Sequence, residues 1–332
     1  MKKFFKILLW IFGIFLVVVL ALFVYIESSW DKTYNVEYPK IKASNDSTII
    51  ERGRYLVHGP GHCGGCHIPN NQVRAWDEGE ELPLIGGWNI TFPGLGTFRA
   101  PNLTPDKETG IGNLTDGQIA RAIRYMVAHD NRGLMGFMRF QNMSDYDVTA
   151  IISFLRSQKP VNNKIKRSEY GLIGKALLAF GMIKPEGPTS IPPESVKIEP
   201  TAEYGKYVAN SVANCYGCHT EFDHASGLYI GKPYAGGSHF PPDEFSEGFG
   251  YISPNLTPDK KTGVIANWTE EQFISRFKSG RVHRGSPMPW GAFSKMTEVD
   301  LKALYLFFLS LEPVENKIQK TVFAPGENLS RK

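Results

Sequence analysis

The chain has 332 residues, 42% of them apolar, with 37 Lys and Arg against 33 Asp and Glu. That length suits about two domains, and the absence of low-complexity blocks and like-charge runs argues against disorder and against nucleic acid as a partner. Setting aside Lys2, Lys3 and Lys6 leaves 34 basic against 33 acidic side chains, too even a balance to argue for a strong steering patch.

The first predicted element follows those lysines. Ile7 to Ile26 is an uncharged run of 20 residues. As a helix it is long enough to cross a hydrocarbon core about 30 Å thick. A signal-peptide core is shorter, roughly 7–15 residues, and ends in a small-x-small cleavage site. Tyr25, Ile26 and Glu27 crowd that place, so residues 1–30 read as a retained membrane anchor. Lysines stay in the cytoplasm. The expectation is a single-pass protein of a bacterial inner membrane, with the remainder on the periplasmic side.

The rest of the chain is a repeat. Gly53-Arg-Tyr-Leu56 matches Gly205-Lys-Tyr-Val208, and Pro101-Asn-Leu-Thr-Pro-Asp106 matches Pro254-Asn-Leu-Thr-Pro-Asp259. Met143-Ser-Asp-Tyr-Asp147 matches Met296-Thr-Glu-Val-Asp300, always at an offset of 152 or 153. The same unit occurs twice, over 45–160 and 201–316. In the first, a helix is predicted around Ile49–Val57. Thr115 opens a T-x-x-Q capping box and a helix over roughly Asp116–Ala128. Ser144 caps a last helix whose Val148, Ile151, Ile152 and Leu155 recur at helical spacing. A proline-punctuated connector spans 161–200. Its apolar stretch Tyr170–Ile183 is expected to form a short helix between the units, with the membrane surface as the alternative. The second unit repeats the pattern: a helix around Ala202–Val208, a capping box at Thr269 opening Glu270–Ser279, and a last helix capped by Thr297. No alternating strand pattern of useful length is present, so the expected fold is all-α with long loops.

All four cysteines fall in two copies of one motif, Cys63-Gly-Gly-Cys66-His67 and Cys215-Tyr-Gly-Cys218-His219. C-x-x-C-H reads as c-type haem attachment. Two thiols form thioethers with the haem vinyl groups, and the adjacent histidine reaches the iron from one face. Zinc would need the two Cys pairs to converge, although they lie about 150 residues apart in separate repeats. A redox dithiol would not need His after the second Cys, twice. The reading is two covalently bound haems c, with His67 and His219 as iron ligands.

With these motifs the chain resembles tandem class I-like cytochromes c. It is more closely similar to the cytochrome c subunits of bacterial membrane-bound alcohol and gluconate dehydrogenases. The likeness runs from about Asp46 to Val314 and is carried by APNLTPDKETGIG, SPNLTPDKKTGV and MPWGAFSKMTEVDLKALYLFFLSLEPV. It departs in one respect: those subunits typically carry three haem motifs, and this chain has two. The resemblance implies an axial methionine on the second face of each haem, which closes the iron and raises its potential. Met288, between Pro287 and Pro289, suits an extended loop that can present its side chain, with Met296 as the alternative. The repeat offset places Met135 opposite Met288, and Met138 or His129 could serve instead. Met143, which matches Met296, reads as packing. The resemblance also implies that the Pro101 and Pro254 carbonyls accept from the axial histidines and strengthen them as donors. Arg99 is a candidate partner for a haem propionate. His58, His62, His129, His224, His239 and His283 have no assigned role.

The function expected is electron transfer, with no side chain performing bond-making chemistry. Candidate redox partners are a dehydrogenase, a quinol-oxidising complex, a soluble cytochrome or an oxidase. The competing reading is an enzyme. A dihaem peroxidase would need an open first haem, and a thiosulfate-oxidising cytochrome would need a spare cysteine ligand, which is lacking.

Overall fold

Helix α1 (Lys2–Ser29) projects from the body with almost all its large apolar side chains exposed and only Ile26 buried. The computed structural model describes residues 2–223, 226–243 and 245–329. Among the described residues, α1 is the one helix with the length and composition to cross a membrane.

Each repeat is built on a pair of crossed helices. In the first, α2 (Ser47–His58), capped by the Asp46 carboxylate, crosses α5 (Asp145–Ser157). In the second, α7 (Ala202–Tyr207) crosses α11 (Glu298–Leu309). A Cβ at Gly53 would strike the Ala150 carbonyl, and one at Gly205 the Ala303 carbonyl. Only glycine permits backbones to approach this closely, and it does so at matched positions. Past α7 the chain continues as a π turn over Val208–Val212.

The capping residues act as their sequence signals require. Thr115 and Thr269 form complete capping boxes at the starts of α4 (Asp116–Tyr125) and α9 (Glu270–Lys278). Ser144 and Thr297 cap α5 and α11 by accepting from the Asp147 and Asp300 amides, at 3.1 and 3.2 Å. Helix α4 ends short of the expected Ala128 because Met126 takes a left-handed conformation, φ 53°. Four short helices complete the set: α3 (Val73–Asp77), α6 (Leu172–Ala179), α8 (Cys215–His219) and α10 (Trp290–Phe293).

The fold is helix-rich and carries small sheets, which corrects the all-α expectation. Strands β1 (Asn89–Phe92), β2 (Gly96–Arg99) and β3 (Glu169–Tyr170) form an antiparallel sheet in order. Strands β4 (Phe222–Asp223) and β5 (Leu228–Tyr229) make a hairpin. Strands β6 (His239–Phe240), β7 (Gly250–Ile252) and β8 (Val322–Phe323) form a second antiparallel three-stranded sheet. Segments of two to four residues are too short to show a two-residue alternation. In both sheets the third strand comes from beyond the last helix, so β3 lies inside the expected connector.

Two apolar cores follow the repeats. One gathers Leu56, Ile68, Met143, Val148 and Ile152, the other Tyr204, Phe273, Met296, Leu301 and Leu304. Val212 and Ala292 of the second repeat pack into the first core. The connector helix is also corrected. It forms as α6 but lies on α1 rather than between the repeats. Its small residues Gly174 and Ala179 face the protein, and a Cβ at Gly174 would strike the Leu95 carbonyl. The space between the repeats is taken by side chains of α2, α3, α7 and α10.

Candidate functional site

The two C-x-x-C-H segments sit in matching frames. His62 and Asn214, each just before the first Cys, take left-handed conformations with φ 40° and 52° and start a short helical turn. His67 Nδ1 donates to the Pro101 carbonyl at 3.0 Å, and His219 Nδ1 to the Pro254 carbonyl at 3.1 Å. A carbonyl can only accept, so this bond fixes the tautomer and leaves Nε2 as the ring nitrogen with a lone pair to offer. Burial pulls both imidazole pKa values down, and the proline carbonyl opposes that only in part, which favours neutral rings. Burial pushes the Cys63 and Cys215 thiols up to about 12 and Cys66 up to about 11. Thiols this weakly acidic are poor thiolate donors. Among the described residues, no three His, Cys, Asp or Glu side chains gather into a metal-binding group.

Two glycines escaped the sequence reading. Gly86 and Gly236 have φ of 73° and 74°, and a Cβ on either would collide with the Pro101 or Pro254 backbone. Their amides donate to the His67 and His219 carbonyls, both at 2.8 Å. Each glycine thus ties the histidine to the proline that orients it. The signal was a Gly-Gly pair in both copies, at an offset of 150 rather than 152 or 153.

The Pro-Asn-Leu loops are held identically. Asn102 Nδ2 donates to Thr109 Oγ1 and the Val161 carbonyl, at 3.2 and 2.8 Å. Asn255 Nδ2 donates to Thr262 Oγ1 and the Val314 carbonyl, at 3.1 and 2.8 Å. Asp106 accepts from Thr109, and Asp259 from Thr262, and these bonds hold both carboxyls below the usual range. The shared Asn-x-Thr-x-Asp-x-x-Thr pattern is therefore a loop clamp that fixes the proline carbonyl against the histidine.

The five candidate methionines divide into two classes. Met143 and Met296 are fully buried in the two cores. Met288 is half-buried against the second core, and its carbonyl accepts from the Trp290 amide at 2.8 Å. Met135 and Met138 are half-buried in the loop after α4. Met135 borders a cavity of about 80 Å³ beside Trp30 and Tyr34. His129 is exposed. Arg99 is engaged elsewhere: it pairs with Glu169 at 3.2 Å and donates to the Arg167 carbonyl at 2.7 Å, holding β3. His224 lies outside the described residues.

The repeats exchange hydrogen bonds across their junction. Tyr207 of the second repeat donates to Asp147 of the first at 2.7 Å and accepts from the Ser144 amide at 3.0 Å. Tyr55 of the first repeat donates to Asp300 of the second and accepts from the Thr297 amide at 3.0 Å. Tyr204 also donates to Asp300, at 2.6 Å, and Arg52 binds both Asp147 oxygens, at 2.9 and 3.1 Å. Asp77–Arg281 and Glu81–Lys295 ion pairs flank this network. Burial and the neighbouring carboxylates hold the three tyrosine hydroxyls protonated. The His62 ring of the first repeat lies edge-on to Phe293 of the second.

No protein-family model matches the chain. It is 29% identical over 249 residues to an alcohol dehydrogenase (quinone) cytochrome c subunit of Gluconobacter oxydans, covering 71% of this chain and 48% of that protein. It is 32% identical over 124 residues to a gluconate 2-dehydrogenase cytochrome c subunit of Pantoea cypripedii, covering 35% and 27%. It is 26% identical over 228 residues to a dihaem cytochrome c-type protein of Cereibacter sphaeroides, covering 66% and 72%. The chain spans about half the length of the alcohol dehydrogenase subunits it matches. Its homologues are thus cytochrome c subunits of alcohol and gluconate dehydrogenases together with a dihaem cytochrome c.

Proposed function

We propose that the protein is a membrane-anchored dihaem cytochrome c that carries electrons in the periplasm, as the electron-accepting partner of a dehydrogenase. The observation that carries this reading is the duplicated frame. Twice, two Cys and a His lie at haem-attachment spacing, with the histidine Nδ1 bound by a proline carbonyl and Nε2 left for iron. That donor set suits haem c, and the homologues are cytochromes c. Haem supplies one-electron redox chemistry when bound.

The chain's own residues hold and tune it. Cys63 and Cys66 would anchor one haem and Cys215 and Cys218 the other, with His67 and His219 as iron ligands. Met135 and Met288 would close the second faces. The Pro101 and Pro254 carbonyls raise the donor strength of the histidines. Helix α1 would hold the pair at the inner membrane, and the junction network fixes one unit against the other. A quinol-oxidising complex, a soluble cytochrome or an oxidase would stand at the other end of the electron path.

The test is spectroscopic. The purified oxidised protein should contain two haems per chain and give two low-spin signals by electron paramagnetic resonance. Met135→Ala and Met288→Ala should each remove about half of the methionine-to-iron charge-transfer band, a feature of methionine ligation. A high-spin signal in the wild type together with peroxide turnover would favour the peroxidase reading instead.

A further inference from the structure

The connector helix is turned the wrong way for water. In α6 the small residues Gly174 and Ala179 are buried against the protein. The large apolar residues of α6 and the turn after it face out: Leu172 is 53% exposed, Ile173 56%, Phe180 54% and Met182 72%. A soluble surface helix has the opposite arrangement.

The position of α6 says what covers that face. It lies on the last turn of α1. The Tyr25 and Phe180 rings are 5.5 Å apart, and Lys175 Nζ binds both Glu27 carboxylate oxygens, at 2.7 and 2.8 Å. Lys32 Nζ donates to the Ala179 carbonyl at 2.7 Å, and Lys175 also lies over the Trp30 ring. The uncharged run of α1 ends at Ile26. At 1.5 Å per residue its 20 residues span about 30 Å, the thickness of the hydrocarbon core. Tyr25, Glu27 and Trp30 therefore mark the boundary between acyl chains and headgroups, where aromatic rings settle. Salt-bridged to Glu27, α6 is held at the same depth. Exposed Arg167 and Lys184 flank it and line the cavity beside Trp30, where lipid phosphates lie.

We infer that α6 and the turn to Met182 form a second membrane contact, lying in the bilayer surface with Leu172, Ile173, Phe180 and Met182 dipped into the acyl boundary. This rests on the reading of α1 as a membrane span. The occupant is lipid. The contact stops the body from swinging on a single tether, and it holds the Met135 loop of the first repeat near the bilayer, because the cavity bordered by Met135 is also lined by Trp30, just past α1, and by Leu178 of α6.

The experiment uses the full haem-loaded chain in vesicles of phosphatidylcholine and phosphatidylglycerol. Spin labels are placed singly at Val17→Cys, Ile173→Cys, Met182→Cys and Ile191→Cys, all exposed positions whose replacement leaves the core intact. Ile191 is 95% exposed and serves as the aqueous reference. Labels at 173 and 182 should collide several-fold more with oxygen, which concentrates in lipid, than with an aqueous nickel chelate. The label at 191 should do the reverse. If labels 173 and 182 behave like 191 while label 17 reports hydrocarbon, the second contact is wrong and the anchor stands. If label 17 is also in water, the span and the contact fall together.

Discussion

At single positions, the demands of the two frames can be weighed. Gly86 and Gly236 combine a left-handed backbone with contact against the proline that orients the histidine. Gly280 is left-handed too, φ 63°, but a Cβ there would meet open space. Alanine at Gly280 should cost about 1–2 kcal/mol, the ordinary left-handed penalty. Alanine at Gly86 or Gly236 should cost about 2–4 kcal/mol, because overpacking adds to that strain. Urea unfolding of the three variants gives the comparison, and equal costs would mean that the proline contact relaxes freely. His58 supplies a pH dependence. It is 5% exposed, its Nδ1 is buried without a partner among the described residues, and burial pulls its pKa down to about 4. In the unfolded chain it titrates near 6.5. Between pH 6.5 and 4 the unfolded state binds the extra proton, so stability falls as the medium becomes more acid through that window. The full effect is about 3 kcal/mol, all of it retained above pH 6.5. His58→Leu should flatten the stability profile between pH 6.5 and 4. A slope unchanged in that variant would assign the acid sensitivity to other groups.

Among the elements, the two Tyr–Asp exchanges are matched in sequence but not in charge. Asp147 is 3% exposed and has Arg52 as a bidentate partner, while Asp300 is 1% exposed and is held by the hydroxyls of Tyr55 and Tyr204. Removing one hydroxyl should therefore cost more at Asp300. Tyr55→Phe should destabilise by about 2–3 kcal/mol and Tyr207→Phe by about 1 kcal/mol, since Arg52 contacts Asp147 directly and reaches Asp300 only through longer-range attraction, which makes a hydroxyl lost at Asp300 the costlier one. Arg52→Ala leaves a buried carboxylate uncompensated and should cost about 3–5 kcal/mol. Denaturant melts check the order, which fails if Tyr207→Phe is the worse of the two tyrosine variants. The sequence made part of this visible. Capping boxes, the last-helix caps and the haem motifs are local signals, and the helices formed within a few residues of their expected ends. Tyr55 and Tyr207, and Asp147 and Asp300, stood out as matched repeat positions. That each tyrosine crosses to the other repeat was not legible, because periodicity within a segment carries no information about a partner 60 or 245 residues away. The strands were hidden by their length, and the placement of α6 depends on Glu27, far off in sequence.

For the whole molecule, the question is whether the repeats behave as two domains or one. Three observations favour one. The Tyr–Asp network runs through the junction, the Asp77–Arg281 and Glu81–Lys295 pairs bracket it, and Val212 and Ala292 of the second repeat are buried in the first core. A Cβ at Gly291 would strike the Asp77 carbonyl, so the backbones themselves meet there. Opening the junction would expose Val212 and Ala292 and leave Asp147 and Asp300 short of donors. Each loss is of the size that couples neighbouring elements into one cooperative unit. The wild type should therefore unfold in a single calorimetric transition, with absorbance changes at the two proposed haems coinciding. Tyr55→Phe combined with Tyr207→Phe, which removes both hydroxyls that cross the junction, should uncouple the repeats, giving two transitions in which the absorbance of the two proposed haems changes at different temperatures. Two resolved transitions in the wild type would show that the junction docks the repeats without coupling them. On the proposed dihaem reading a single transition has a functional consequence, since electron transfer between two haems depends on a fixed separation. The double variant should then slow equilibration between the haems while leaving each low-spin spectrum unchanged, a distinction that flash photoreduction can read.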